Sequence, residues 1–315
     1  MTYILGGNIQ TTDYNTFATA SNGMNQVYAD LFSGATTLPN AGFGYGQLPA
    51  LTSVSGNITA AQWTNLFQTI RKCGTHQGTT VVPPLPVADP IIGNTVAVYN
   101  TPSTLASTIA LLNTNKFNLA GGQTSVIVGT PFSNPAPWTT SLVYTFQVDF
   151  GSWNNARYFF NSGSSISVTG VYTPAPTPDE VDWQALFSTN FPVNMNWQTT
   201  TPASGGNNVV NPPGFYLNAP YPALTTSYQD LYIKYVGGGA GPYYVTNFAK
   251  IEAKLANIAG TDGKIDFRVT LTDADSYPVI KAAGRMTYTI NRIQSAGAIA
   301  YPGSYAFTSG GFVAI

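Results

Sequence analysis

The last third of the chain alternates apolar and polar residues at the period of a β-strand, which limits the fold more than any other feature. In segment 264–271 one face is entirely apolar, formed by Ile265, Phe267, Val269 and Leu271. The same pattern predicts further strands at 230–236, 243–255, 285–293 and 304–313. Because each strand has one polar face, we expect antiparallel sheets packed as a sandwich.

A turn signal joins two of these strands. The dipeptide Asp262-Gly263 is typical of tight β-hairpin turns. On the preceding strand, charged residues alternate with apolar ones and are predicted to point to solvent: Lys250, Glu252 and Lys254. The sequence therefore predicts an antiparallel hairpin here.

The N-terminal segment contains an internal repeat. Residues 7–17 align with residues 56–66, with Tyr14 opposite Trp63 and Phe17 opposite Leu66. Each copy predicts a short extended segment followed by an amphipathic helix. A helical hairpin that packs on itself explains both apolar stripes. Two short helices make a thin core, however, so we also expect the stripes to contact a partner chain.

The second copy carries clear helix signals. Thr59 and Gln62 have the spacing of a capping box, which predicts the start of the helix. Gly74 is predicted to end it. Between these ends, one apolar stripe is formed by Trp63, Leu66, Phe67 and Ile70.

Two other segments are candidate assembly contacts. Phe43 and Tyr45 alternate with glycines in residues 42–46, which form either an ordered loop or a contact between chains. Arg157 lies in an apolar neighbourhood and either locks the domain, by stacking on aromatic rings or binding backbone carbonyls, or binds a ligand. The candidate contact residues are thus Tyr14, Phe17, Phe43, Tyr45, Trp63, Phe67 and Arg157.

Proline spacing divides the chain. Four prolines between Pro83 and Pro90 predict an extended linker at 81–98. It would separate a helical anchor module at 1–80 from a mixed α/β middle region at 99–220 and an antiparallel β domain at 221–315. The predicted fold class is α+β and predominantly β.

The middle region contains regular elements and one acidic cluster. We expect helices at 103–113 and 179–188, and strands at 124–129, 141–150 and 166–172. Asp179, Glu180 and Asp182 open the second helix, with Trp183, Leu186 and Phe187 on its buried face. The acids either serve acid/base or metal chemistry or stabilise the helix dipole.

Composition excludes several classes of protein. Charged residues are 8% of the chain, against roughly 25% in an average soluble protein. The 12 Lys and Arg residues do not form the basic stripe that nucleic acid requires. No run of about 18 apolar residues is present, so membrane insertion is not expected. Residues 1–6 predict no signal peptide, and we expect synthesis in a cytoplasm.

Catalytic residue types are scarce. Cys73 is the only cysteine, which excludes an intrachain disulfide, and His76 is the only histidine. His76 follows Cys73 too closely for the usual dyad, and it is predicted at a helix end, where a cation interacts favourably with the dipole. Asp273 and Asp275 either ligate calcium or form a turn. We expect no enzyme and no cofactor.

Three segments together resemble a known class of protein. They are the doubled helical element ending in Thr75-His76-Gln77-Gly78, the motif at 43–47, and Asn-Ala-Arg-Tyr-Phe-Phe-Asn-Ser-Gly at 155–163. These segments resemble uncharacterised virion structural proteins of tailed phages, notably contractile-tailed phages of cyanobacteria and marine bacteria. The C-terminal block from Lys250 through the hairpin is also similar.

The resemblance implies a virion structural protein without catalytic residues. We expect a tail-fibre or baseplate-associated component that assembles as a homotrimer or higher oligomer and contacts other virion proteins through its N-terminal module. A neck or head fibre or a capsid decoration protein is the alternative location. A second class is a carbohydrate-binding adhesin or depolymerase that contacts host surface glycan, although a depolymerase needs two positioned carboxylates.

Overall fold

The computed structural model describes residues 10–19, 23–24, 51–81, 102–116, 118–134, 137–175, 179–196, 200–201, 224–236, 246–257, 262–274, 284–301, 303 and 305–314. The chain divides into two compact units. The N-terminal unit comprises residues 1–125, 161–163 and 294–302, and the β unit comprises residues 126–160, 164–293 and 303–315.

Helices dominate the described part of the N-terminal unit. They are α1 (Thr11–Ala18), α2 (Ala60–Gln77) and α3 (Pro102–Thr114), followed by a 3₁₀ turn at Gly121–Gln123. The predicted capping box starts α2: the Gln62 N–H donates to Thr59 Oγ1 at 3.3 Å, and the Thr59 N–H donates to Gln62 Oε1 at 2.7 Å. The helix start was therefore predictable from two residues.

The predicted end of α2 at Gly74 is wrong. The helix continues to Gln77, and Gly78 ends it with φ +71°, which glycine adopts without strain. Gly74 serves close packing instead, since a Cβ there would lie 2.8 Å from the Val81 side chain and 3.0 Å from the Thr79 carbonyl oxygen.

The predicted apolar stripes form the core of the N-terminal unit. Trp63 is 3% exposed, and Leu66, Phe67 and Ile70 are fully buried. On α3 the buried apolar side chains among the described residues are Leu105, Ile109 and Leu112. Contacts of α3 with both α1 and α2 show what the stripes pack against.

The strands form two antiparallel sheets. The first sheet has the order β1–β10–β4–β5–β6, with β2 also paired to β10. Its strands are β1 (Thr124–Ile127), β2 (Phe132–Ser133), β4 (Ser165–Thr173), β5 (Val193–Met195), β6 (Thr200–Thr201) and β10 (Arg285–Ser295). The second sheet has the order β11–β3–β9–β8–β7. Its strands are β3 (Ser141–Asp149), β7 (Gln229–Tyr235), β8 (Phe248–Leu255), β9 (Lys264–Thr272) and β11 (Ala306–Ala314).

Aromatic rings fill the space between the two sheets of the β unit. Tyr144 on β3 stacks on Tyr288 of β10, with ring centroids 5.4 Å apart, and both side chains are buried. Within the second sheet, Phe146 stacks on its register partner Phe267 at 4.7 Å. The predicted inward set on β9 is confirmed, since Ile265, Phe267, Val269 and Leu271 are all buried. The α+β, predominantly β fold class is confirmed, with the sheets arranged as a sandwich.

Two helices complete the β unit, α4 (Trp153–Asn161) and α5 (Asp179–Asn190). The predicted buried face of α5 is confirmed by Trp183, Leu186 and Phe187. It packs on β4.

The second sheet combines two of the predicted segments. Its strand β3 belongs to the segment 99–220, and it lies between β9 and β11 of the segment 221–315. Of the predicted linker 81–98, only Val81 lies among the described residues.

Candidate site on the charged face of the second sheet

One face of the second sheet concentrates the chain's charge. Strand register places Asp149 opposite Lys264, Asp266 opposite Lys254, and Arg268 opposite Glu252. The chain has 25 charged residues, and eight of those that the structure describes lie on this face: Asp149, Asp230, Lys250, Glu252, Lys254, Lys264, Asp266 and Arg268. Four are acidic and four basic, so the face has many charges and no net charge. We call it the charged face.

Glu252 is the centre of the charged face. Its carboxylate accepts two hydrogen bonds from the Arg268 guanidinium, at 2.7 and 2.8 Å, and lies 3.0 Å from the Lys250 ammonium. Lys250 also reaches Asp230 at 3.1 Å. The Glu252 side chain is only 4% exposed, whereas that of Arg268 is 35% exposed. The predicted outward position of Glu252 is thus correct, but its neighbours cover it.

The electrostatics of this pair follow from its contacts. Burial alone would raise the pKa of Glu252, but the hydrogen bonds and charges of Arg268 and Lys250 outweigh burial and hold that pKa below its ordinary value. The hydrogen bond to Glu252 is the main reason that the pKa of Arg268 is raised. All three groups are therefore charged at neutral pH.

Tyr228 lies over two of the cations. The Arg268 guanidinium is 4.1 Å from the centre of the Tyr228 ring, and the Lys254 ammonium is 4.9 Å from it. Partial burial, followed by the negative charge of Asp266, raises the pKa of the Tyr228 hydroxyl, which stays protonated at neutral pH. The ring is therefore held against the sheet by cation–π contacts.

An open cleft of about 310 Å³ lies beside this ring. We call it the Tyr228 cleft, and it is lined by Thr145, Phe146, Gln147, Tyr228, Asp266, Thr308 and Gly310. The Gln147 amide donates to Asp266 Oδ1 at 2.7 Å across the β3–β9 pair. Gly310 lets the Thr145 side chain pack closely against β11, because a Cβ there would collide with the Thr145 hydroxyl.

None of the residues predicted as assembly contacts is among the described residues of the charged face or of the Tyr228 cleft. Tyr14, Phe17, Trp63 and Phe67 are at most 3% exposed in the N-terminal unit. Trp63 packs against Tyr14 at 5.6 Å and Phe67 at 5.5 Å. Their burial favours the helical hairpin over a contact between chains, and the assembly role of these rings stays a prediction. Arg157 lies within α4, while Phe43 and Tyr45 lie outside the described residues.

His76 lies in the last turn of α2, near the helix end as expected, but it is uncharged there at neutral pH. It is fully buried, and its Nε2–H donates to the Ser162 carbonyl oxygen at 2.9 Å. Burial lowers the pKa of His76 to about 4, only partly offset by that hydrogen bond. The expected cation–dipole interaction at neutral pH is therefore wrong. Burial also raises the pKa of the Cys73 thiol, which disfavours the thiolate.

One acid at the start of α5, Glu180, binds backbone groups. Glu180 is fully buried and accepts hydrogen bonds from the N–H groups of Ala175 at 2.5 Å and Gly284 at 2.8 Å. This carboxylate joins the helix start to the segments after β4 and before β10. Among the described residues, no group of three or more His, Cys, Asp or Glu side chains is placed to hold a metal ion. Asp275 lies outside them, so the calcium alternative for Asp273 and Asp275 stays open.

Sequence reasoning missed the Tyr228 cleft. Alternation on β8 and β9 indicated outward charges, but Gln147 and Asp266 are separated by 119 positions and meet only through strand pairing. Tyr228 precedes β7 and belongs to no periodic pattern.

Comparison with protein-family models, curated proteins and solved structures found no match for this chain. No helix in the described part of the chain is long and apolar enough to cross a membrane.

Proposed function

We propose that the chain is a non-enzymatic structural component of a tailed-phage virion, a tail-fibre or baseplate-associated protein that assembles as a homotrimer or higher oligomer. Two observations support this: the motif resemblance and the edge strand β11 of the second sheet. The proposal includes contacts with other virion proteins through the N-terminal module.

The edge strand β11 carries the proposal. It has nine residues, none of them charged, and among the described strands it is one of the two end strands of the second sheet. Exposed edges normally carry charges or are very short, because their free backbone groups pair with other chains. Among the described strands, the others at sheet edges follow that rule or are short: β7 contains Asp230 and Lys234, β1 has four residues, and β2 and β6 have two each. A bulge between Ser309 and Gly311 is the only irregularity in the β11–β3 pairing.

This edge therefore supports pairing between chains. Val313 at its end is 56% exposed. A strand from another copy that pairs with β11 would continue the sheet and satisfy backbone groups that water otherwise satisfies.

Immunogold labelling of purified phage particles with an antibody against the full-length chain tests the location. Label on the tail tip or baseplate is the expected result. Label on the neck or capsid favours the fibre or decoration alternative, and intact particles without the protein overturn the virion assignment.

A second candidate function is a carbohydrate-binding adhesin, which the Tyr228 cleft favours. Its lining combines an aromatic ring, hydroxyls, an amide and a carboxylate. Asp266 is the only carboxylate among the described residues that line the cleft, and glycoside hydrolysis uses two. The cleft thus supports binding rather than cleavage.

A further inference from the structure

We propose that the Tyr228 cleft binds a neutral saccharide, recognised by its hydroxyl groups and by one apolar ring face. This inference rests on the second candidate function above and names its site and ligand class. Nothing in it depends on the location of the chain in a particle.

The charges around the Tyr228 cleft are balanced. The cleft opens on a face with four acids and four bases, and the cations nearest to it already have partners. Arg268 binds Glu252, and Lys254 lies 3.8 Å from Asp266. Among the described residues, no further cation beside the cleft is left to compensate an anionic ligand that meets Asp266, so the electrostatic field favours an uncharged ligand.

The polar side chains that line the cleft are fixed in place. Gln147 and Asp266 are register partners on adjacent strands, and their hydrogen bond at 2.7 Å holds both side chains in place. A carboxylate has about four acceptor positions, and Gln147 occupies one of them. Asp266 can therefore accept from ligand hydroxyls, while Thr145 and Thr308 can both donate and accept.

The Tyr228 ring forms an aromatic wall of the cleft. The Tyr228 ring is held by Arg268 and Lys254 before any ligand arrives, so its immobilisation costs little on binding. An aromatic side chain offers an apolar face together with a polar hydroxyl. This pairing suits a saccharide, whose ring has C–H groups on its faces and hydroxyls at its rim.

The size of the cleft agrees with a small ligand. About 310 Å³ is at the lower end of the range of about 300–1,000 Å³ for ligand pockets. The walls are strands β3, β9 and β11, whose register fixes the spacing of the polar groups.

A glycan array tests the proposal on the full-length chain. Its neutral probes are lactose, N-acetyllactosamine, triacetylchitotriose, mannotriose and maltotriose, and its anionic probes are sialyllactose and trigalacturonate. We expect binding to at least one neutral probe. Titration calorimetry should then show binding about tenfold weaker in Tyr228→Ala and in Gln147→Ala, and within about threefold in Tyr228→Phe.

The matched control is Thr270→Ala, which removes a hydroxyl from the same sheet face outside the cleft and should bind within about twofold of the native chain. If Tyr228→Ala does not fold, Gln147→Ala decides alone. Binding of anionic probes only overturns the neutral-saccharide inference and leaves the adhesin function standing. Binding that Gln147→Ala does not weaken overturns the site, and no binding to any probe overturns both.

Discussion

The Glu252–Arg268 pair on the charged face should be a major source of stability, in contrast to the other ion pairs there. Glu252→Gln keeps the size of the side chain and one acceptor oxygen but removes the charge. Arg268 and Lys250 would then share a neutral acceptor. Hydrogen bonds to charged groups contribute about 1.5–3 kcal/mol and neutral ones about 0.5–1.5 kcal/mol.

The expected loss follows from burial. Exposed ion pairs contribute about 0–1 kcal/mol, whereas removing one member of a buried pair costs about 3–5 kcal/mol. The carboxylate is 4% exposed, while the side chains of its cations are 35% and 23% exposed. The pair is thus intermediate, and we expect Glu252→Gln to lower the free energy of unfolding by about 2 kcal/mol.

The assay is urea unfolding followed by circular dichroism, with Lys264→Met as the matched control. Lys264 pairs with Asp149 at 3.6 Å on the same face, with side chains 37% and 30% exposed, so its loss should cost less than about 0.5 kcal/mol. In a double-mutant cycle with Arg268→Met, the two changes should be clearly non-additive.

The pH dependence gives a second readout. The pKa of Glu252 is lower in the folded chain than its ordinary value of 4.5, so the unfolded chain takes up the proton first as pH falls. The stabilisation is complete above about pH 5 and disappears as pH falls through the folded pKa. If Glu252→Gln and Lys264→Met lower the free energy of unfolding equally, the Glu252–Arg268 pair has no special role. The same conclusion follows if Glu252→Gln remains less stable than the native chain at acid pH.

Three further predictions concern stability. Glu180→Gln should lower the free energy of unfolding in urea by about 2 kcal/mol, because its amide group would face one of the two backbone N–H donors at Ala175 and Gly284. As a control, Gln184→Ala at an exposed position of the same helix should change that free energy by less than about 0.5 kcal/mol. Gly263→Ala should cost about 2 kcal/mol or more, since φ is +63° and a Cβ would collide with the Ser152 backbone, whereas Gly121→Ala, with open space around it, should cost less than about 1 kcal/mol. His76 has a folded pKa of about 4 against 6.5 ordinarily, so the native chain should lose up to about 3 kcal/mol between pH 6.5 and pH 4 as the unfolded state takes up the proton; a His76→Gln variant with the same loss over that window would contradict this.

Local patterns predicted local structure well. Alternation in 264–271 gave both the strand and its buried face, and Thr59 with Gln62 gave the start of α2. The end of that helix was missed because Gly74 and Gly78 carry the same local signal. Only packing against Val81 and Thr79 distinguishes a helical glycine from a terminal one.

Features that depend on distant pairing could not be predicted. Alternation places Glu252 on a solvent face, and its burial arises only when Arg268 and Lys250 close over it. Glu180 shows the same limit, since its partner Gly284 is 104 positions away. The Tyr228 cleft needs the register of three strands, which no single segment encodes.

Homo-oligomeric assembly can be measured as the mass of the full-length chain in solution by light scattering. We expect about 100 kDa or more, at least three copies of a 33.4 kDa chain. Val313→Lys on β11 should shift the mass to one copy, and Val181→Lys on α5, with the same 56% exposure, should leave it unchanged. A native chain that stays at 33.4 kDa at every concentration, or an oligomer that Val313→Lys does not disturb, would contradict the account.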